Sequence, residues 1–209
     1  MYKEVCASCH SLDRIAFRNL IGVVGTEDEI KSWAEDLDYP GEANAEGERP
    51  DRKGKLTDFL PRPYVNELAA RAANNGALPP DLSLMKKARP GGEDYLFALL
   101  TGYRDPPAGI TMREGQYYNP YFPGGAIGME QALKQDALTY DDGTEATPSQ
   151  MAKDVSVFLT WAAEPEHDER KRLGVKTMIL FALMAVPTLY FKRVKWSVLK
   201  SRQIRFTKF

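Results

Sequence analysis

The chain has 209 residues, of which 43% are hydrophobic and 27% charged, a composition that excludes a wholly disordered or collagen-like protein. Its 28 basic and 29 acidic residues nearly cancel, but they are unevenly distributed. Residues 192–209 hold seven bases and no acid, so residues 1–191 hold 21 bases against all 29 acids and have a net charge of −8. We expect one domain with a small second element, and no nucleic-acid partner for so acidic a body.

Two cysteines separated by two residues stand directly before a histidine: Cys6, Cys9 and His10. This spacing is typical of covalent haem attachment, in which both sulfurs form thioethers with one porphyrin and the histidine binds the iron. A zinc site would need two further ligands, and the only other histidine, His167, lies in a distant charged segment. A redox dithiol would be expected next to a βαβ pattern, whereas the residues that follow are Pro-rich and loop-like; it remains an alternative together with chance spacing.

Four segments of the body have the apolar spacing of one helix face. These segments cover residues 30–37, 65–73, 95–103 and 151–162. The first follows a capping-box pattern at Thr26 and Glu29, and the last follows Thr147 as N-cap with Pro148 at the first helical position. Nine prolines between residues 61 and 123 predict long, rigid loops, and little of the chain alternates with the period of a strand. We therefore expect a mostly helical fold without a substantial sheet.

An apolar run near the end of the chain predicts a membrane helix. Residues 173–191 contain one charge, Lys176, and would span about 28 Å as a helix, close to the hydrocarbon thickness of a bilayer. Lys176 is near one end, where it can reach the headgroups, and Pro187 should kink the helix rather than end it. A buried core helix or an interfacial helix is the alternative. The basic residues after the run should stay on the cytoplasmic or matrix side.

A second iron ligand could be His167 or a methionine, but His167 lies next to the apolar run and is better interpreted as a solvated or interfacial histidine. A methionine ligand needs an irregular segment that can approach the porphyrin. Setting aside the terminal, membrane and helix-face methionines leaves Met85, Met112 and Met129. Met129 follows the small residues at 124–128, which permit close approach to a porphyrin. We prefer Met129, although a methionine is more often part of a core than a ligand.

Charged residues of the body indicate partners of opposite charge. A haem propionate would need a cation, for which Arg89 is the first candidate and Arg104 the second, unless both are surface arginines. Residues 27–51 hold ten acids against two bases. Such a run is usually a solvated surface, but it could also steer a basic redox partner.

Several long segments together resemble the cytochrome c1 family, the haem subunits of ubiquinol-cytochrome c reductase. The matching segments, in order, are residues 2–11, 70–83, 87–107, 117–129, 141–155, 161–174 and 195–202. The residues around 161–174 are more similar to mitochondrial than to bacterial members. The family has a further segment before the haem motif, so we expect this chain to lack that N-terminal segment and to hold its haem less securely.

The resemblance implies a role for each matching residue. Cys6 and Cys9 correspond to the thioether cysteines, His10 to the axial histidine and Met129 to the axial methionine, with one covalently bound haem c. Arg89 corresponds to the arginine that pairs with a propionate. The residues that correspond to the lining of the haem pocket are Asn74, Ala77, Pro79, Pro80 and Tyr95.

The resemblance also implies an architecture: a mostly α, class I c-type cytochrome domain with long Pro/Gly-rich loops and one C-terminal transmembrane helix. We expect a haem domain at residues 1–167 in the mitochondrial intermembrane space, an anchor in the inner membrane at 168–194 and a basic matrix tail at 195–209. The implied partners are the Rieske iron-sulfur protein, cytochrome b, soluble cytochrome c and an acidic accessory subunit.

The implied activity is one-electron transfer within ubiquinol-cytochrome c reductase, from the Rieske protein to soluble cytochrome c. It needs no catalytic acid, base or nucleophile in this chain. Two other functions fit the same residues. A membrane-anchored haem sensor would leave one iron position open for a gas, and an assembly element would use the anchor and basic tail to hold neighbouring subunits.

Overall fold

Six α-helices and two short antiparallel strand pairs form the part of the chain that the computed structural model describes, residues 1–135 and 137–203. The helices are α1 (Glu27–Glu35), α2 (Glu67–Ala73), α3 (Met85–Ala88), α4 (Gly92–Thr101), α5 (Pro148–Ala163) and α6 (His167–Lys200). The strands are β1 (Asp38–Pro40), β2 (Asp51–Lys53), β3 (Tyr117–Tyr118) and β4 (Ala126–Ile127). The expectation of a mostly helical chain without a substantial sheet is confirmed.

The chain divides into two compact units, Met1–Pro165 and Glu166–Phe209. The first unit contains α1 to α5 and all four strands, and the second contains α6. Arg205 and Lys208 of the predicted basic tail lie outside the described residues.

Local sequence signals fix where two of the helices begin. The Thr26 hydroxyl accepts a hydrogen bond from the Glu29 backbone N–H, while the Glu29 carboxylate accepts one from the Thr26 N–H at 2.8 Å, so the predicted capping box starts α1. Thr147 accepts from the Gln150 N–H at 3.2 Å and Pro148 occupies the first turn of α5. Each cap satisfies a backbone donor that a helix end leaves without an intrahelical partner.

The main core lies between the segment that follows the Cys-x-x-Cys-His turn and helices α1, α3, α4 and α5. Its buried members are Leu12, Ile15, Phe17, Leu20, Ile30, Ala34, Leu60, Leu82, Met85, Leu96, Val155, Leu159 and Ala162. The Phe17 ring is fully buried and meets the Trp33 ring edge-on, with the centroids 5.3 Å apart. Burying one such side chain contributes about 1.5–3 kcal/mol. Because the core begins two residues after His10, packing fixes the position of the turn.

The β3–β4 pair organises the loop that precedes Met129. Tyr117 pairs with Ile127 and Tyr118 with Ala126. Between the strands, the fully buried Asn119 donates from Nδ2 to the Leu99 carbonyl at 2.7 Å and from its backbone N–H to the Gly125 carbonyl at 2.9 Å. The amide therefore attaches the hairpin to the end of α4.

Helix α2 forms where predicted, but its apolar stripe does not face the core. Val65 is 94% exposed and Leu68 is 80% exposed, whereas only Ala70 of the helix is buried. The Asn66 side chain caps the helix by accepting from the Ala69 N–H at 2.9 Å. Apolar spacing alone predicts a helix face, and it does not determine which face packs inward.

Helix α6 is longer than its apolar run, with 34 residues and a length of about 51 Å. It is long and apolar enough to cross a membrane, by length and composition. The helix continues through Pro187 and through residues 195–200, the first part of the predicted tail. The Thr177 and Thr188 hydroxyls each donate to the carbonyl four residues earlier, at 2.8 and 2.7 Å. These bonds satisfy hydroxyls that would be costly in an apolar medium.

Candidate haem site

The Cys-x-x-Cys-His sequence forms a tight helical turn. The Tyr2–Cys6 segment is a π-helical turn, and the Cys6 carbonyl then accepts from the backbone N–H groups of Cys9 at 3.2 Å and His10 at 2.9 Å. Both cysteines are free and half-buried. Two free thiols and a histidine on one turn are the groups that covalent haem attachment requires.

The surroundings of the thiols do not favour a redox dithiol or a zinc site. Burial raises the pKa of the Cys6 thiol to about 11, whereas the cysteines of redox dithiols have a lowered pKa. Among the described residues, no cluster of three or more His, Cys, Asp or Glu side chains is suited to hold a metal ion. A structural zinc site would need four such ligands.

His10 is held in one orientation by hydrogen bonds to its ring and to its backbone. The ring nitrogen Nδ1 lies 2.8 Å from the Pro80 carbonyl oxygen. Because a carbonyl only accepts, Nδ1 carries the proton and Nε2 keeps a free lone pair. Burial lowers the pKa of His10 and so favours this neutral form, although the Pro80 bond and the nearby Asp81 carboxylate oppose it. The Tyr2 hydroxyl donates to the His10 carbonyl at 2.9 Å.

The segment that contains Pro80 also approaches the Met129 loop. A Cβ atom added to Gly128 would lie 3.1 Å from the Ala77 Cβ, so only glycine fits there without a shift of its neighbour. The Tyr103 hydroxyl donates to the Met129 carbonyl at 3.0 Å and fixes the backbone of that residue. Residues 77–80 therefore contact both the histidine turn and the residue just before Met129.

The three candidate methionines occupy different environments. Met85 is 8% exposed and belongs to the main core, so its side chain is committed to packing. Met112 and Met129 are half-buried. The residue before Met129, Gly128, approaches Ala77 in the segment next to His10, whereas Gly115, three residues after Met112, approaches Asn75 at the start of that loop.

Residues 74–80 form an ordered loop after α2. Asn75 and Gly76 adopt positive φ angles of 51° and 85°, which end the helix and reverse the chain. The Asn74 amide donates to the Ala70 carbonyl at 2.7 Å and to the Tyr64 hydroxyl at 3.0 Å. Pro79 is half-buried and Pro80 is exposed.

The cationic candidates bond to backbone carbonyls. Arg89 donates to the Ala88 carbonyl at 3.0 Å, and Arg104 donates to the carbonyls of Thr101 at 3.1 Å and Tyr103 at 2.6 Å. In the described part of the chain, neither guanidinium forms an ion pair with a carboxylate. Tyr95 is half-buried and packs against the main core.

Sequence reasoning missed the residues that hold the candidate ligands. The Tyr2 hydroxyl donates a hydrogen bond to the His10 carbonyl, and the Tyr103 hydroxyl donates one to the Met129 carbonyl. Asp81 lies near the His10–Pro80 hydrogen bond. Asp81 and Tyr103 reach partners far away in sequence, and no local spacing indicates such contacts. Tyr2, eight residues from His10, could have been suspected from its place one helical turn before the first cysteine.

A mostly helical domain with a Cys-x-x-Cys-His turn and an apolar C-terminal helix has the arrangement of a membrane-anchored c-type cytochrome. The model of the cytochrome C1 family matches residues 1–199, and the chain belongs to that family. The resemblance noted in the sequence is thereby confirmed.

Mitochondrial proteins from fungi and plants are similar over almost the whole chain. The chain is 58% identical over 207 residues to the cytochrome b-c1 complex catalytic subunit of Candida albicans, covering 99% of this chain and 72% of that protein. It is 56% identical to the cytochrome c1 heme protein of Saccharomyces cerevisiae, covering 99% and 67%. A cytochrome c1 heme protein of Arabidopsis thaliana is 57% identical, covering 98% and 66%.

Proposed function

We propose that this chain is the electron-transfer haem subunit of ubiquinol-cytochrome c reductase, receiving electrons from the Rieske iron-sulfur protein and delivering them to soluble cytochrome c. The observation that carries the proposal is the hydrogen bond from His10 Nδ1 to the Pro80 carbonyl, which leaves Nε2 available to a metal. The names of the relatives, which include a cytochrome b-c1 complex subunit and heme proteins, support it.

The residues present fit one covalently bound haem c. Cys6 and Cys9 would hold it through thioethers, and His10 and Met129 would be its axial ligands. When bound, haem c supplies reversible one-electron oxidation and reduction of its iron. The free thiols, the protonated Nδ1 and the close contact between Gly128 and Ala77 support this fit.

The remaining site residues would enclose the cofactor and form an ion pair with one of its propionates. Asn74, Ala77, Pro79 and Pro80 belong to one loop, and the hydrogen bonds from Asn74 to Tyr64 and Ala70 would keep the pocket wall rigid and exclude water. Tyr95 would contribute an aromatic wall from α4. Arg89 would neutralise a propionate, since its guanidinium has donors beyond the one bonded to Ala88, and Arg104 is the second candidate.

Helix α6 would anchor the chain in the mitochondrial inner membrane. We assign the haem domain, residues 1–167, to the intermembrane space, the anchor to 168–194 and the basic tail, 195–209, to the matrix. The seven bases after residue 191 support this orientation because positive residues are retained on the matrix side. The anchor would lie against cytochrome b, the integral membrane subunit of the complex.

The acidic segment at residues 27–51 would attract a basic protein to the haem domain. Glu27, Asp28 and Glu29 stand in the first turn of α1, and most of the side chains that follow are exposed. Such a surface increases the association rate of a basic partner, an effect that salt weakens. Soluble cytochrome c fits that description. An acidic accessory subunit would have to bind the basic residues of this chain instead.

The test is the reduced-minus-oxidised visible spectrum of the membrane-bound complex, with and without carbon monoxide, for the wild type and for Met129→Ala. We expect a low-spin c-type band that carbon monoxide does not alter in the wild type and does alter in Met129→Ala. Met112→Ala is the matched control and should behave as the wild type. A wild-type band that shifts with carbon monoxide would favour a haem sensor, and a Met129→Ala spectrum equal to the wild type would overturn the ligand assignment.

A further inference from the structure

Asp81 joins the two segments that form the His10–Pro80 hydrogen bond. Its Oδ2 atom accepts from the Ser11 hydroxyl at 3.0 Å, the Asp13 backbone N–H at 2.7 Å and the Ser83 hydroxyl at 3.2 Å. Its Oδ1 atom accepts from the Ser83 backbone N–H at 3.0 Å. Two of these donors belong to Ser11 and Asp13, within three residues after His10, and two belong to Ser83, three residues after Pro80, so one carboxylate spans both sides of the bond.

Further bonds connect the same two segments. The Leu82 N–H donates to the Ser11 carbonyl at 2.9 Å, and the Arg14 N–H donates to the Ser83 hydroxyl at 3.1 Å. Ser83 is fully buried, so its hydroxyl depends on these partners for its hydrogen bonds. Loss of the Asp81 carboxylate would leave several donors unsatisfied, and the segments that hold His10 and Pro80 would be less firmly joined.

The surroundings of this carboxylate consist of hydrogen-bond donors. Four donors are directed at its two oxygens, and a carboxylate accepts all of them. Asp81 also lines a surface depression with Asp13, Arg14 and Phe59, so water reaches the site. Solvent screening therefore weakens the electrostatic effect of the carboxylate but does not remove it. The result is a fixed negative charge one residue from Pro80.

We infer that Asp81 is a positioning residue for His10 and a fixed anion that favours the oxidised iron. The inference rests on the proposed function. Oxidation adds one positive charge at the iron, and an anion on the histidine side stabilises that charge. Asp81 would also keep the His10 ring aligned by holding its hydrogen-bond acceptor in place. No contact of Asp81 with the cofactor is required.

The test is the midpoint reduction potential of the haem in the intact membrane complex, for the wild type, Asp81→Asn and Asp81→Glu. Asp81→Asn removes the charge, and we expect the equilibrium to shift roughly threefold to tenfold toward the reduced haem. Asp81→Glu keeps the charge and should return the potential close to that of the wild type. The control is Asp38→Asn, whose carboxylate is 62% exposed and pairs with Lys53 at 3.0 Å.

The sign of the shift separates the inference from a merely structural role. A loosened pocket that admits water would favour the oxidised haem, the opposite of the effect of losing an anion. An unchanged or lowered potential in Asp81→Asn would therefore overturn the inference. If Asp81→Asn does not assemble, Ser11→Ala keeps the charge and removes one donor. It should broaden the electron paramagnetic resonance signal of the oxidised haem and leave the equilibrium between oxidised and reduced haem within about twofold of the wild type. An unbroadened signal would overturn the positioning role.

The wild-type spectrum keeps the two proposals distinguishable. A wild-type complex without a c-type band in this chain would overturn the proposed function itself. A normal wild-type band with an Asp81→Asn potential equal to that of Asp38→Asn would leave the proposed function intact and overturn only the role of Asp81.

Discussion

Removal of the Tyr103 hydroxyl should loosen the backbone at Met129. The hydroxyl donates to the Met129 carbonyl at 3.0 Å, and burial raises the pKa of Tyr103, as expected for a phenol in an apolar setting. A hydrogen bond of this kind contributes about 0.5–1.5 kcal/mol net. If that energy serves to position Met129, Tyr103→Phe should increase the fraction of released Met129 by a factor of about two to ten.

The assay is carbon monoxide binding to the reduced, membrane-bound protein, followed by its visible spectrum. If Met129 is the axial ligand, as proposed, its release opens an iron position, and the apparent affinity for carbon monoxide should rise by the same factor. Tyr121→Phe is the control, because Tyr121 is 53% exposed and its hydroxyl is not expected to restrain the Met129 backbone. Equal carbon monoxide affinity in the wild type and Tyr103→Phe would refute the idea that this bond supports the ligand.

Two further predictions concern the stability of the first unit. Glu164 is 12% exposed and bonds to Lys86 at 2.6 Å, so Glu164→Gln should lower the free energy of unfolding by about 1–3 kcal/mol in thermal unfolding, and no change would contradict this. The Arg52 hydrogen bonds lower the pKa of Asp58 below its ordinary value of 3.8. That stabilisation is present above pH 3.8 and lost as the pH falls through the lower pKa of the folded state. The advantage of the wild type over Asp58→Asn in acid unfolding should shrink below that pH, and a constant difference would contradict it.

Signals that act within one or two helical turns could be predicted from the sequence. The Thr26–Glu29 box and the Thr147 cap both depend on residues three positions apart, and both helices begin where the pattern indicates. The Cys-x-x-Cys-His turn is equally local. In each case the sequence itself brings the interacting atoms together, so no knowledge of the tertiary fold is needed.

Contacts between distant segments could not be predicted in this way. Asp81 reaches Ser11 across 70 positions, and Tyr103 reaches Met129 across 26. The orientation of α2 is a similar case: Leu68 has the spacing of a core residue but is 80% exposed. Periodicity describes one element at a time, whereas burial depends on which other elements pack against it.

Helix α6 extends beyond the apolar run at residues 173–191 on both sides. Hydropathy delimits the apolar run, but Glu, Lys and Arg are good helix formers, and the helix therefore extends through the charged residues at 168–172 and 192–200. The apolar segment marks the part suited to the hydrocarbon. It does not mark the part that is helical.

Pro187 changes the backbone hydrogen bonding of α6. Proline has no backbone N–H, so the Leu183 carbonyl lacks the donor that every other turn of the helix would supply. In a bilayer such an acceptor cannot turn to bulk water, and a neighbouring helix, a nearby hydroxyl, a trapped water molecule or a local adjustment of the helix would have to supply a donor. The helix would thus present one free backbone acceptor, the Leu183 carbonyl, on an otherwise apolar surface. Pro187→Ala would remove it while leaving the length and apolar character of the helix unchanged.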